Sequence, residues 1–136
     1  MIYSNGRVYE GMWKSDKREG DGFERYKNGN TYLGKFKDGK AHGMGVYKWQ
    51  SNDGKNGEVY DGQWAQGFKD GYGIWKGSKG NSYMGEWKAS KAHGYGVYVW
   101  PNGDKYEGEW RNCVKHGEGT DYFSNGDVYI GNYSNG

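Results

Sequence analysis

Cysteine and proline each occur once, and no apolar run approaches the length of a membrane-spanning helix or a secretory leader. The lone Cys113 excludes an internal disulfide framework, so a reducing, cytoplasmic setting is expected. Aliphatic side chains are scarce as well. Hydrophobic residues make up only 33% of the 136, too few for a thick aliphatic core. Excess charge of one sign is missing too: a net charge of +2 is too small for the strongly basic surface of a non-specific nucleic-acid binder, and no nucleic-acid partner is expected. No segment carries apolar residues at helical spacing.

What remains is glycine and aromatic rings, 27 Gly beside 14 Tyr, 7 Trp and 4 Phe. So much glycine suggests disorder only where aromatics are rare, and here they are 18% of the chain. The rings must carry the packing.

They recur. Tyr9-x-Gly11-x-Trp13 returns as Tyr32-x-Gly34-x-Phe36, Tyr60-x-Gly62-x-Trp64, Tyr83-x-Gly85-x-Trp87, Tyr106-x-Gly108-x-Trp110 and Tyr129-x-Gly131-x-Tyr133. The central glycines are separated by 23, 28, 23, 23 and 23 residues. The longer step falls in a Ser/Asn/Asp/Gly/Lys segment, 50–57, with the composition of a surface loop. A second block follows each first one: Gly20-x-Gly22, Gly43-x-Gly45, Gly71-x-Gly73, Gly94-x-Gly96 and Gly117-x-Gly119, preceded by Glu19, His42, Asp70, His93 and His116.

Tyr-x-Gly-x-Trp has period two, the spacing of a strand, and turn signals such as Asn28-Gly29 and Pro101-Asn102-Gly103 separate the repeats. The reading is hairpin after hairpin. If Gly11 meets Gly22 and Trp13 lies opposite Gly20, each Trp ring covers a glycine that would otherwise weaken its strand.

A Tyr-x-Gly-x-Trp block, a polar turn and a His-Gly-x-Gly block together resemble the MORN repeat, from about Tyr9 to Tyr133. The resemblance implies an all-β fold, an elongated single-layer antiparallel sheet of stacked β-hairpins with an aromatic groove. Residues 1–136 would form one array, with repeats starting near 7, 30, 58, 81 and 104 and a truncated one near 127. Met1-Ile-Tyr-Ser-Asn-Gly matches Asp121-Tyr-Phe-Ser-Asn-Gly, so the array is expected to be open at both ends, as a fragment of a longer protein or as a rod that pairs end to end.

Because a single layer cannot cover both faces, the rings are expected to stay partly open. The candidate partner-binding groove is Tyr9, Trp13, Tyr32, Phe36, Tyr60, Trp64, Tyr83, Trp87, Tyr106 and Trp110. A second candidate is the row of hairpin tips. Lys14, Lys17, Arg18, Lys37, Lys40, Lys69, Lys88, Lys91, Arg111 and Lys115 outnumber the acids there, leaving one basic edge able to meet an anionic lipid surface. The bland reading of that edge is a solvated rim that keeps the sheet apart from other sheets.

The three histidines sit one repeat apart or more, about 10 Å, too far to share a metal ion, and their column also accepts Glu19 and Asp70. A polar turn residue bonding nearby backbone fits that column. Cys113 is expected as an exposed thiol at a tip, and no catalytic residue, metal or cofactor is assigned. The residues therefore point to a non-enzymatic scaffold that binds a protein segment or a second copy of itself. The resemblance adds cytoskeletal or membrane association, or service as the regulatory module of a larger enzyme such as a lipid kinase.

Overall fold

The computed structural model describes residues 6–51 and 57–134. Eleven strands follow one another: β1 (Val8–Lys14), β2 (Lys17–Arg25), β3 (Thr31–Lys37), β4 (Lys40–Lys48), β5 (Val59–Ala65), β6 (Phe68–Lys76), β7 (Ser82–Lys88), β8 (Lys91–Val99), β9 (Lys105–Arg111), β10 (Val114–Tyr122) and β11 (Val128–Tyr133). They form one antiparallel sheet in chain order, so every strand pairs only with its sequence neighbours. At about 4.8 Å per strand the sheet is about 50 Å across.

Within a repeat the strands turn through two residues of positive φ, for instance Asp38 (52°) and Gly39 (83°), or Ala89 (49°) and Ser90 (68°). This is the mirror-image turn that suits the twist of a hairpin. Ala89 and Ser90 are poor residues for it, and the preceding repeat holds them: Asp70 accepts from the Ala89 N–H at 3.3 Å, and Lys69 O accepts from Ser90 N–H at 2.8 Å.

The expected pairing of Gly11 with Gly22 is observed, as are Gly34 with Gly45 and Gly62 with Gly73. The expected facing of Trp13 and Gly20 is not. Trp13 pairs with Arg18, because the second strand of each hairpin carries two extra residues between those two contacts. The bulge explains the first glycine of each second block: Gly20, Gly43, Gly71, Gly94 and Gly117 all have positive φ. Across the next junction these glycines do meet a ring: Gly20 faces Phe36, Gly43 faces Trp64 and Gly71 faces Trp87.

The insertion does not disturb the array. Trp49 N–H donates to Glu58 O at 2.9 Å, the bond that closes the other inter-repeat turns at Tyr26–Asn30, Gly77–Asn81 and Trp100–Asp104. The central part of the expected 50–57 loop, 52–56, and the expected repeat end at 1–5 lie outside the described residues.

Candidate interaction surface

The sheet has one aromatic face, and its centre is closed. Each of the first five first-block tyrosines folds back over the glycine pair of its own hairpin and donates its hydroxyl to a carbonyl three residues on, as Tyr9 to Met12, Tyr32 to Lys35 and Tyr60 to Gln63, all at 2.8 Å. A side chain at Gly22 would sit 2.6 Å from the Tyr9 hydroxyl, so the second-block glycine is the floor of a tyrosine slot. The Tyr ring is then clamped edge-on between two others. Tyr60 lies 5.1 Å from Trp64 of its own repeat and 5.3 Å from Trp87 of the next, both near perpendicular.

Trp64, Trp87 and Trp110 also donate their indole N–H to Gly45, Gly73 and Gly96 carbonyls of the preceding repeat at 3.1, 3.1 and 3.2 Å. The column is thus the cement between repeats. Burial pushes the Tyr32, Tyr60 and Tyr83 hydroxyls well above the ordinary tyrosine range.

The expectation that this column stays partly open is corrected here. Tyr9, Tyr32, Phe36, Tyr60, Trp64, Tyr83, Trp87, Tyr106 and Trp110 are all buried; of the ten, only Trp13 is exposed, at 43%. Each ring is covered on one flank by the tyrosine of the previous repeat, a contact absent for Trp13 among the described residues.

Exposure on this face belongs to a second rank. Tyr26, Tyr47, Trp49, Trp75, Tyr98 and Trp100 are half-buried and pack against the column. Their rings form two groups: Tyr47 is 5.7 Å from Tyr26 and 4.5 Å from Trp49, while Trp75 stacks on Tyr98 at 6.4 Å and Tyr98 is 4.7 Å from Trp100. Extending the period of two past the second block reaches these residues, as in Gly45-x-Tyr47-x-Trp49 and Gly96-x-Tyr98-x-Trp100.

Three positions in each repeat vary together beside the column. Repeats two and four use Asn30, Ala41 and Tyr47, and Asn81, Ala92 and Tyr98, with the Asn amide donating to the Tyr hydroxyl at 3.1 and 3.0 Å. In the first repeat the same places hold Arg7, Arg18 and Glu24. Glu24 is wholly buried and ion-paired to both arginines. In the fifth, Lys115 pairs with Asp121 at 2.9 Å. A small residue goes with a large ring, and a base goes with an acid, so volume and charge are conserved together. In the third repeat Lys69 sits among Trp49, Tyr60 and Trp87, 4.8 to 5.5 Å from the ring centres, and burial lowers its pKa.

The basic edge is consequently thinner than expected. Arg18, Lys69 and Lys115 fold inward over the rings, while Lys14, Lys17, Lys37, Lys40, Lys88, Lys91 and Arg111 stay exposed. At three tips two lysines stand directly opposite each other: Lys14 and Lys17, Lys37 and Lys40, Lys88 and Lys91. Like charges so placed repel. The middle tip instead exposes Phe68, at 54%.

The column before the second-block glycines has a backbone role. Glu19 accepts from Asp38 N–H at 3.0 Å, His42 from Gln66 N–H at 3.3 Å, and Asp70 holds Ala89 as above, each gripping the turn of the next hairpin. Cys113 is exposed at its tip. Among the described residues no group of three or more His, Cys, Asp or Glu could hold a metal ion, and no helix is long and apolar enough to cross a membrane.

No curated protein matches the chain closely enough to serve as a relative. The family model of the MORN repeat matches five times, at residues 9–31, 32–54, 60–82, 83–105 and 106–128, each match beginning at or beside the first-block Tyr. Repeats of this kind are generally non-catalytic modules for protein or membrane interaction. With these consecutive matches over most of its length, on an unbroken sheet of like hairpins, the chain belongs to the MORN-repeat family.

Proposed function

We propose that the chain is a non-enzymatic scaffold in a cytoplasmic, cytoskeletal or membrane-adjacent setting, and that its aromatic face receives an extended or helical segment of a protein partner or of another copy. The buried Tyr9–Trp110 column is the floor of that site, and the half-open rank is what a partner touches. One observation carries the reading: two ring groups beside the column, Tyr26, Tyr47 and Trp49, and Trp75, Tyr98 and Trp100, are only half-covered by the fold itself. Rings with one apolar face buried and one free supply large contact area at low entropic cost.

Trp75→Ala with Tyr98→Ala removes two of these rings and leaves the buried column intact. Affinity for a captured partner should fall about thirtyfold or more while the melting transition survives. Capture by the doubly substituted protein at unchanged affinity would exclude the aromatic face.

A second reading rests on the tips. Paired lysines that repel one another within the fold gain an anion by binding one, and Phe68 stands exposed between them as an apolar wedge. That arrangement suits the surface of an anionic bilayer, where each nearby cation contributes about 1 kcal/mol and an inserted Phe adds burial. Phosphatidylserine vesicles should co-sediment with the protein at low salt and release it as salt rises. Phe68→Ser should weaken binding about tenfold, in line with about 1.4 kcal/mol of lost insertion. Binding indifferent to both salt and Phe68 would refute the membrane role of this edge.

A further inference from the structure

Three cations share one place in the repeat and lie over the aromatic column: Arg18, Lys69 and Lys115, opposite Trp13, Trp64 and Trp110. Six residues on, opposite the first-block tyrosine, two of these repeats supply an acid: Glu24 faces Tyr9 and Asp121 faces Tyr106. Both acids are ion-paired to the cation of their own repeat, Glu24 to Arg18 and Asp121 to Lys115, the latter at 2.9 Å. In the third repeat the same place, opposite Tyr60, holds Trp75. Lys69 thus has the cation's position without the acid that goes with it, and among the described residues it makes no ion pair.

The rings around Lys69 do not take the place of that acid. Its ammonium lies 5.1, 5.5 and 4.8 Å from the ring centres of Trp49, Tyr60 and Trp87. Lys115 sits in a cage of the same kind, 5.0 to 5.3 Å from Trp100, Tyr106 and Tyr133, and still engages Asp121. An ammonium held over three ring faces therefore keeps a side open to a carboxylate. Lys69 is partly exposed, and desolvation outweighs the field of Glu58, the acid it feels most, with which it forms no ion pair. The other acids toward the inter-repeat turns are engaged there: Asp104 accepts from Ser124 N–H at 2.9 Å, and Asp127 from the Asn125 amide at 3.2 Å.

We propose that the partner segment on the aromatic face is acidic at one point: it presents an Asp or Glu carboxylate to Lys69, between apolar side chains seated on Tyr47 and Trp49 and on Tyr98 and Trp100. This rests on the aromatic face being the docking surface, and it adds the chemistry of the occupant. Charge complementarity makes the choice. A neutral or basic side chain over Lys69 would desolvate the ammonium further with no counter-ion, whereas a carboxylate takes the part that Glu24 and Asp121 play in their own repeats. Lys69 is on β6, and β4 and β8 lie about 10 Å to either side of it. An extended segment with three residues per turn, about 3.1 Å each, meets the three places with every third side chain.

The probe is a fluorescent Pro/Ser peptide with a central Glu and a Leu three residues to each side, compared with the same peptide carrying Gln. The protein should bind the Glu peptide about tenfold more tightly, and rising salt should narrow the difference. Lys69→Met keeps the stem among the rings and removes the charge, while Trp75→Asp installs the acid that the fifth repeat already has. Each should bring the Glu-to-Gln ratio to about one with a cooperative melt retained. Trp75→Ala should weaken both peptides and keep the ratio, which separates the charge from the ring. Equal affinity for the two peptides, or a tenfold ratio that persists in Lys69→Met, would overturn the proposal; if Trp75→Ala with Tyr98→Ala still abolished binding, the aromatic face would stand without it. A Glu peptide bound at full affinity by that ring pair would remove the face and the proposal together. Failure to bind the Glu peptide, or a concentration-dependent dimer that it displaces, would also overturn the proposal, the occupant in the second case being another copy.

Discussion

Raised above pH 10, the protein should hold its fold briefly and then lose it in a single steep step, with tyrosinate absorbance and strand circular dichroism changing together. Tyr32, Tyr60 and Tyr83 are buried and their hydroxyls are pushed well above the ordinary tyrosine value of about 10, chiefly by desolvation. Tyr26 is pushed up to about 12 by its burial and by Glu24. A folded-state pKa raised above the unfolded one contributes stability that is complete below the unfolded value and is lost as pH climbs through it toward the folded one. Each such tyrosine removes about 1.4 kcal/mol per pH unit in that window, so the three together remove about 4 kcal/mol per unit. Set against a stability of about 5–15 kcal/mol for a domain, that slope ends the fold within a few pH units. Lys69 acts in the opposite sense: its lowered pKa penalises the charged ammonium, and that penalty disappears as pH rises toward the unfolded lysine value. One lysine does not offset three tyrosines. Tyr60→Phe keeps the ring and removes the acid, and should flatten the transition by about one proton. A smooth rise of tyrosinate absorbance with the circular dichroism intact would show that these hydroxyls reach solvent in the native sheet.

That outcome depends on closure of the aromatic column, the property least visible in the sequence. The period, the pairing of Gly11 with Gly22 and the two faces of each strand all follow from the spacing of two kinds of residue. Coverage does not, because it is a relation between repeats. Nothing in Tyr60-x-Gly62-x-Trp64 alone says that Trp87 closes over Tyr60, or that the Trp64 indole N–H finds Gly45 O. The basic edge is thinner than tip position alone implies for a similar reason. Arg18, Lys69 and Lys115 look like tip residues by position. They also occupy the small-residue place of Ala41 and Ala92, beside the rings, where a long aliphatic stem packs and its charge is met by Glu24, by three aromatic faces or by Asp121. The signal that separates those three from the exposed lysines lies in the repeat column they share with Ala41 and Ala92, opposite the ring of the first strand.

The two faces of the sheet follow from one economy. Repeats add along a single axis, so each inner strand has partners on both sides and none above or below. On one face the Tyr and Trp rings lie down across glycines and seal the layer from within. On the other, side chains as large as Tyr72 and Tyr95 stand up from the sheet and stay open. The buried column gives cohesion, and the large side chains that stay exposed stand at its margin and on the far face.

The weight placed on glycine as a floor can be measured. Gly73→Ala should be among the most damaging single substitutions in the chain, although it adds only a methyl group. A Cβ there would lie 2.6 Å from Tyr60 Cε2 and nearer still to its hydroxyl, while on the other strand a Cβ at Gly62 would strike the Gly73 backbone. The ring has to leave its slot, giving up its contacts with Trp64 and Trp87 and its bond to Gln63 O. Loss of a buried aromatic contact set of this size costs about 3–5 kcal/mol. Gly80→Ala is the control. Gly80 has φ of +89° and nothing within 4 Å of a new Cβ, so its cost is backbone strain alone, about 1–2 kcal/mol. If the clash with the ring is the cause, Gly73→Ala should cost little more once Tyr60→Ala has already emptied the slot, and the two substitutions should be far from additive in denaturant unfolding. Equal losses for Gly73→Ala and Gly80→Ala, or strict additivity with Tyr60→Ala, would mean that the glycine is there for its backbone and not for the ring above it.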